Sequence, residues 1–356
     1  MDKLNKLKKF WKNKKVFVTG HTGFKGSWLI LILNLMGAKV YGYSLKPKKN
    51  SLFNEIRGQK LLAKNFYGNI KNKNLLRSKI FSTKPQIIFH LAAQPLVIDS
   101  YKNPLNTFKT NIIGIANLFE SIKSLSFIKS VVIITTDKVY KNEQKDLFFS
   151  EEDELGGIDP YSASKACAEL IVNSYISSFF KNTKLKNKIS SARSGNVIGG
   201  GDYSANRLVP DIIKSINKNK KLIIRNPKHI RPWLHVLEPL FGYMTVAEKQ
   251  ISKKMLLPPR WNFGPDRNSI VSVSKIVEIF KKTKYLKVKY LNQEKKIFES
   301  TSLKLNNNKS KKNLGWKPKW SIQKSIEKVI EWNNLKKQKI PPQEICENQI
   351  KNYLKD

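Results

Sequence analysis

Compact apolar runs alternate with longer, helically spaced apolar stretches through the first half of the chain. Val16-Phe17-Val18-Thr19 is a short apolar run closed by Gly20, the mark of a strand buried on both faces. Phe24 to Met36 then reads as a helix stopped by Gly37, and Lys39 to Tyr43 as a second strand. Phe66-Tyr67 marks a third strand, Ile87 to His90 a fourth and Val131 to Thr135 a fifth. Leu105–Leu125 and Tyr161–Phe180 read as long helices, and Ile189 to Ala192 as a sixth strand. This rhythm predicts an α/β fold: a Rossmann-type, doubly wound parallel sheet with helices on both faces.

Beyond Gly195 the pattern loosens. Leu208–Ile216, Pro239–Ala247, Val271–Phe280 and Ile322–Trp332 read as helices, and Leu222–Ile224 and Val288–Leu291 as strands. Residues 1–195 are therefore expected to form the dinucleotide-binding domain, with returning elements in about 222–250. Residues 196–221 and 251–340 are expected to form a smaller C-terminal substrate-binding lobe. The polar segment 341–356, opened by Pro341-Pro342, reads as a peripheral tail.

Composition narrows the class. The 356 residues are 40% hydrophobic, enough for a sizeable core. Two cysteines, Cys167 and Cys346, make no disulfide framework. Met1 to Trp11 is basic and mixed, without the apolar run of a signal peptide. The longest apolar stretch, Trp28 to Met36, is interrupted by Asn34 and is too short for a bilayer. A cytoplasmic protein with no membrane partner is expected. The net charge of +41 is conspicuous. Its lysines are dispersed, apart from runs such as Lys12–Lys15, Lys46–Lys49, Lys214–Lys221 and Lys309–Lys312, and are not interleaved with stacking aromatics. That favours biased background composition over nucleic-acid binding, though anionic nucleotides would still be attracted.

Three clusters carry chemistry. Gly20-His21-Thr22-Gly23-Phe24-Lys25-Gly26 joins the first strand to the first helix, with glycines spaced for close backbone approach to a pyrophosphate at a helix N-terminus. The acidic residue that usually meets the ribose after the second strand is missing: Ser44 and Leu45 stand there, and Lys46 and Lys48 could attract a 2′-phosphate. Spacing alone leaves NAD and NADP open. Tyr161 and Lys165 share one helical face, and an ammonium beside a phenol favours the phenolate, a usable base. Thr136-Asp137-Lys138 ends the fifth strand and adds an acid/base pair that simple hydride transfer does not need. Together they suggest oxidation at one carbon and elimination at its neighbours. The histidines have no metal-ligand spacing, so no metal is expected; His235 and Cys167 read as structural. Trp316 and Trp320 read as packing residues of the small lobe, and Glu151-Glu152-Asp153-Glu154 as a solvated loop.

At these residues the chain resembles the extended short-chain dehydrogenase/reductase family, in its NAD-dependent epimerase/dehydratase branch. The likeness runs through Val18–Trp28, His90–Val97, Thr135–Lys138, Leu155–Ser162, Gly195–Asp202, Arg225–Pro227, Arg231–Leu237 and Trp261–Pro265, over roughly residues 10 to 335. It implies NAD as cofactor, held by Gly20, Thr22, Gly23, Phe24, Lys25, Gly26, Asn69, Ile70, Leu91, Ala92, Ala93 and Asn111, with Tyr161 and Lys165. Asn69 stands where relatives often carry an aspartate toward adenine. The resemblance further implies a nucleotide-sugar substrate, a cytidine-diphosphate glucose, contacted by Gln94, Asn196, Arg207 and Arg231. The implied reaction is 4,6-dehydration within deoxysugar synthesis for lipopolysaccharide O-antigen. Tyr161 would take the 4-hydroxyl proton, Lys138 the C5 proton, and a protonated Asp137 would release the 6-hydroxyl as water, with Thr136 on the 4-oxygen. A homodimer or homotetramer is implied. The alternatives are an epimerase, which needs no acid at the 6-hydroxyl, a dehydratase of another nucleotide sugar, or a basic nucleic-acid binder on a non-catalytic Rossmann fold.

Overall fold

The computed structural model describes residues 3–143, 147–252, 257–291 and 300–356. Its main sheet has seven parallel strands: β1 (Lys15–Thr19), β2 (Lys39–Ser44), β3 (Lys64–Tyr67), β4 (Ile87–His90), β5 (Ser130–Ile134), β6 (Ile189–Ser194) and β7 (Arg260–Phe263). Their order is β7-β6-β5-β4-β1-β2-β3. The chain winds outward from β1 to one edge, then returns to β4 and winds to the other. β1 and β4, paired Val16 to Ile87 through Thr19 to His90, therefore flank the switch point where such sheets open a crevice.

Side-chain alternation gives each sheet face its own core. Val16 and Val18 of β1, Ile87 and Phe89 of β4, and Val132 and Ile134 of β5 enter one core. Phe17, Ile88, Val131 and Ile133 enter the other, against the helices Lys73–Thr83, Gly114–Ile122 and Pro160–Tyr175. The helix Phe24–Leu35 is buried all round, Trp28 to Leu33 without any exposed surface. Such a helix needs cover on both sides. The sheet supplies one, and the helices Leu237–Ser252 and Pro342–Lys355 complete the other.

That cover corrects the reading of the C-terminus as a peripheral tail. Ile345, Cys346, Ile350, Tyr353 and Leu354 are buried in the main core. The Tyr353 hydroxyl donates to Glu238 Oε2 (2.6 Å), whose Oε1 accepts from the Trp320 and Lys319 amides at 2.8 and 3.0 Å. Trp316 and Trp320 join this same core instead of the small lobe's. The lobe has a third core, built on Ile198, Ile212, Trp233, Ile276, Phe280 and Ile326. It rests on a three-stranded sheet of Asn196–Ile198, Ile230–His235 and Ile270–Ser272. Arg260–Phe263, counted with the lobe from sequence, is the outer strand of the main sheet, because it pairs with β6 from Arg260–Ser191 to Phe263–Ser194. Among the described residues no helix is long and apolar enough to cross a membrane.

Candidate active site

The carboxyl ends of β1, β4, β5 and β6 open into one cleft of about 910 Å³, roofed by the lobe. The glycine loop forms its floor. Gly20 holds φ +74°, and a Cβ there would lie 2.6 Å from the Ala92 backbone nitrogen. Only glycine lets the β1 and β4 turns approach this closely. A Cβ on Gly26 would strike the backbone of Gly20 and His21. The following helix begins after Gly23 without a side-chain cap, and its first turn lines the cleft. Cradle and helix terminus together fit a dinucleotide pyrophosphate. Thr22 Oγ1 bonds Ser44 Oγ (2.9 Å) and donates to the Leu45 carbonyl (3.0 Å), closing the loop onto the end of β2. Phe24, Asn69, Ile70, Leu91, Ala92 and Ala93 line the same half of the cleft.

The catalytic side chains converge from β5 and the helix Pro160–Tyr175, whose N-terminus is capped by Asp159 accepting from the Tyr161 and Ser162 amides at 3.0 Å each. Thr136, Asp137, Lys138, Tyr161 and Lys165 all line the cleft. Burial is the largest influence on both Tyr161 and Lys165. Lys165 Nζ donates to the Ile134 carbonyl (3.3 Å), and burial lowers its pKa to about 8 against an upward pull from Glu169. Burial raises the Tyr161 phenol to about 12, while the Thr136 hydroxyl and Arg207 pull it down. Desolvation outweighs local charge at the phenol. Asp137 is buried, and desolvation raises its pKa over the opposing effects of Lys138 and Thr136. Thr136 Oγ1 donates to Asp137 Oδ1 (2.9 Å). Oδ2 has no partner among the described residues. It faces Gly195, where a Cβ would stand 3.1 Å away. A carboxyl so placed carries a proton readily and can give it up inside the cleft.

The remaining expected residues divide. Asn196, Arg207 and Arg231 line the lobe side of the cleft. Arg207 is anchored on Asp202 (3.3 Å); buried Arg231 donates to the Ile230 and Thr301 carbonyls at 2.8 and 3.3 Å and pairs with His229 Nδ1 at 3.1 Å. Lys25 reaches the Ser194 hydroxyl (3.0 Å), and burial lowers its pKa to about 7, helped by Arg207 and Lys165. Gln94 lines the cleft but spends its amide on its own loop, donating to Leu96 O (3.0 Å) and Thr107 Oγ1 (2.9 Å). Asn111, expected among the cofactor contacts, is buried behind the wall in a π-turn. It donates to Ser164 Oγ (2.9 Å) and accepts from the Gln94 amide (2.8 Å), so it positions the wall. His235 lies outside the cleft, between Trp28 and Trp320.

Sequence reasoning missed the support beneath β5. Arg193 and Glu169 form a fully buried two-point ion pair, 3.0 and 2.9 Å. Glu169 also accepts from Thr135 Oγ1 and Ser191 Oγ, both at 2.6 Å. Arg193 donates to the Tyr140 hydroxyl (2.8 Å) and the Glu151 carbonyl (3.2 Å). Glu151, read as part of a solvated loop, is instead buried, and its carboxylate accepts from the Asn262 amide (2.7 Å). An arginine inside a fully buried strand, Ile189–Ser194, is the feature that marks it. Among the described residues no three His, Cys, Asp or Glu side chains group as metal ligands.

Known proteins share this sequence pattern and fold. The family model for GDP-mannose 4,6 dehydratase matches residues 17–329. The CDP-glucose 4,6-dehydratase of Salmonella typhimurium is 43% identical over 331 residues, covering 92% of each chain. The dTDP-D-glucose 4,6-dehydratase of Dictyostelium discoideum is 29% identical over 250 residues, 66% of this chain and 56% of its own. Among solved structures, the dTDP-glucose 4,6-dehydratase of Bacillus anthracis in complex with NAD superposes with a TM-score of 0.76 at 22% identity, covering 93% of this chain and 99% of its own.

Proposed function

Given that the chain belongs to the GDP-mannose 4,6 dehydratase family, we propose that it converts CDP-glucose to CDP-4-keto-6-deoxyglucose with NAD as a recycled cofactor. The observation that carries the reading is Asp137: a buried carboxyl with a raised pKa and one oxygen without a partner, in the cleft with Tyr161. An oxidation or epimerisation alone has no use for a second acid there. Bound NAD would supply a hydride acceptor for C4 and the donor that returns the hydride to C6.

The chain's own residues do the proton work. Tyr161 takes the 4-hydroxyl proton, with Thr136 on the same oxygen. The cleft must lower the phenol from about 12 for this step, and cationic Arg207 pulls it in that direction. The 4-ketone acidifies C5; Lys138, acting as a neutral amine, takes that proton and gives it back to C5 after C6 has been reduced. Asp137 protonates the departing 6-hydroxyl, so water leaves and a C5–C6 double bond forms. Asn196, Arg207 and Arg231 hold the diphosphate; a guanidinium fork suits phosphate oxygens. An epimerase would need only Tyr161, Thr136 and the cofactor.

The test uses CDP-glucose carrying deuterium at C4, mixed with unlabelled substrate and NAD. Label should appear at C6 of the same molecules, without crossover and without accumulation of reduced cofactor. Label back at C4 with inverted configuration would establish the epimerase; label lost with stoichiometric reduction would establish a simple dehydrogenase. A nucleotide-sugar substrate and a dinucleotide cofactor support the cytoplasm as the compartment. A homodimer or homotetramer through the segments Leu105–Leu125 and Tyr161–Phe180 is supported by the exposure of Leu105, Leu170 and Phe179 on them.

A further inference from the structure

Two buried charged side chains take no part in the proton steps above: Glu169, on the helix of Tyr161, and Arg193, on β6. A buried ion pair is costly to desolvate and gains little over apolar packing, so what it touches says more than its energy. Tyr161, Lys165 and Glu169 follow one another at helical spacing and share one face. That face meets the end of β5 at two successive residues. Lys165 Nζ donates to the Ile134 carbonyl (3.3 Å), and Thr135 Oγ1 donates to Glu169 Oε1 (2.6 Å). Thr136-Asp137-Lys138 comes next in the chain.

The same ion pair holds both ends of that turn. Thr135, before it, is bound to Glu169. Tyr140, after it, accepts from Arg193 Nη1 at 2.8 Å and donates to Asn262 Oδ1 at 2.7 Å. The carboxylate itself is fixed by four donors: Thr135 and Arg193 Nε on Oε1, Ser191 Oγ (2.6 Å) and Arg193 Nη2 (2.9 Å) on Oε2. Tyr161 is placed separately, through its own helix, whose first amides are capped by Asp159. The side chains that serve elimination therefore hang on an anchor that the phenol does not need.

We propose that Thr135, bound to the Glu169–Arg193 pair, is a positioning residue for the elimination: its hydroxyl bond keeps Asp137 and Lys138 in register with Tyr161. The inference rests on the assignment of elimination to Asp137 and Lys138 and adds what sets their position.

The test follows product and reduced nicotinamide together in the full chain supplied with NAD and CDP-glucose. Thr135→Val keeps the volume and the strand and removes only the hydroxyl. It should lower kcat by about tenfold with KM within about twofold, and reduced nicotinamide should accumulate, because C4 oxidation continues while elimination lags. Thr135→Ser restores the donor and should recover most of the rate without accumulation. Ser191→Ala takes the other hydroxyl from the same carboxylate, away from the turn, and should show no accumulation. Circular dichroism melting checks that each variant is folded; if the valine is not accommodated, Thr135→Ala removes the same hydroxyl and is read in the same way. A folded Thr135→Val with native kcat, or slowed without reduced nicotinamide, overturns the inference. Equal accumulation in Ser191→Ala overturns it as well, since general loosening would then suffice. These outcomes leave the proposed reaction standing, whereas a native chain that forms no 4-keto-6-deoxy product removes that reading first.

Discussion

Replacing Arg193 with methionine should cost about 3–5 kcal/mol of stability, the range found when one partner of a buried ion pair is removed. The structure sets the magnitude at this level for two reasons. Both side chains are without exposed surface, and the pair is joined at two points, 3.0 and 2.9 Å. Methionine fills similar volume but leaves the Glu169 carboxylate with only the Thr135 and Ser191 hydroxyls as donors. The perturbation should also reverse a pH dependence. In the native chain Arg193 and the hydroxyls hold Glu169 below its ordinary value of 4.5, despite its burial. A depressed carboxyl contributes stability above its unfolded pKa and loses it as the pH falls through the folded one. Without Arg193, desolvation prevails and the folded pKa rises above the unfolded one. The variant then loses stability as the pH rises from about 4.5. Urea unfolding at about pH 5 and about pH 8 should therefore give a larger deficit at the higher pH. The double variant Arg193→Met/Glu169→Gln should recover about half or more of the loss, because no charge is left unpaired. A deficit below about 1 kcal/mol, equal at both pH values, would mean that the pair contributes little beyond an exposed salt bridge.

Three further outcomes are expected. Tyr161→Phe should lower kcat by about three orders of magnitude while calorimetry still detects dinucleotide binding, since the ring keeps its packing and only the proton acceptor is lost. Asp137→Asn should permit C4 oxidation and block loss of the 6-hydroxyl, so reduced nicotinamide should build up spectrophotometrically where the native chain shows none. Leu170→Glu, on the exposed flank of the Tyr161 helix with Leu105 and Phe179, should shift sedimentation toward monomer at micromolar concentration; a native chain that already sediments as monomer would remove the proposed dimer.

The architecture of the first half was legible in the sequence because it is local. The central strands Val16–Thr19, Ile87–His90 and Val131–Ile134 are runs too apolar for one wet face, and helical periods lie between them. Parallel pairing with helices on both sides is the arrangement that buries such runs twice. The glycine spacing, Tyr161 with Lys165, and Thr136-Asp137-Lys138 were legible for the same reason: backbone geometry and helix periodicity fix their relations within a few residues. Leu29 to Leu33 announced burial all round but not by what. Its cover comes from Ile345, Ile350 and Tyr353, in a segment whose many polar residues disguise the narrow apolar face that docks. Strand β7 was missed because Arg260-Trp261-Asn262-Phe263 acquires its place only by pairing with β6, far back in the chain. Protonation was decided only in three dimensions. Tyr161 and Lys165 share a helical face, yet burial prevails at the phenol and moves it up to about 12. Asn111 and Gln94 stand in the expected stretches, but their bonds turn to the wall and the loop. Glu169 and Arg193 meet across a helix and a strand. Sequence spacing specifies neighbours along the chain, whereas desolvation and the partners of a buried polar group depend on what the rest of the chain brings against it.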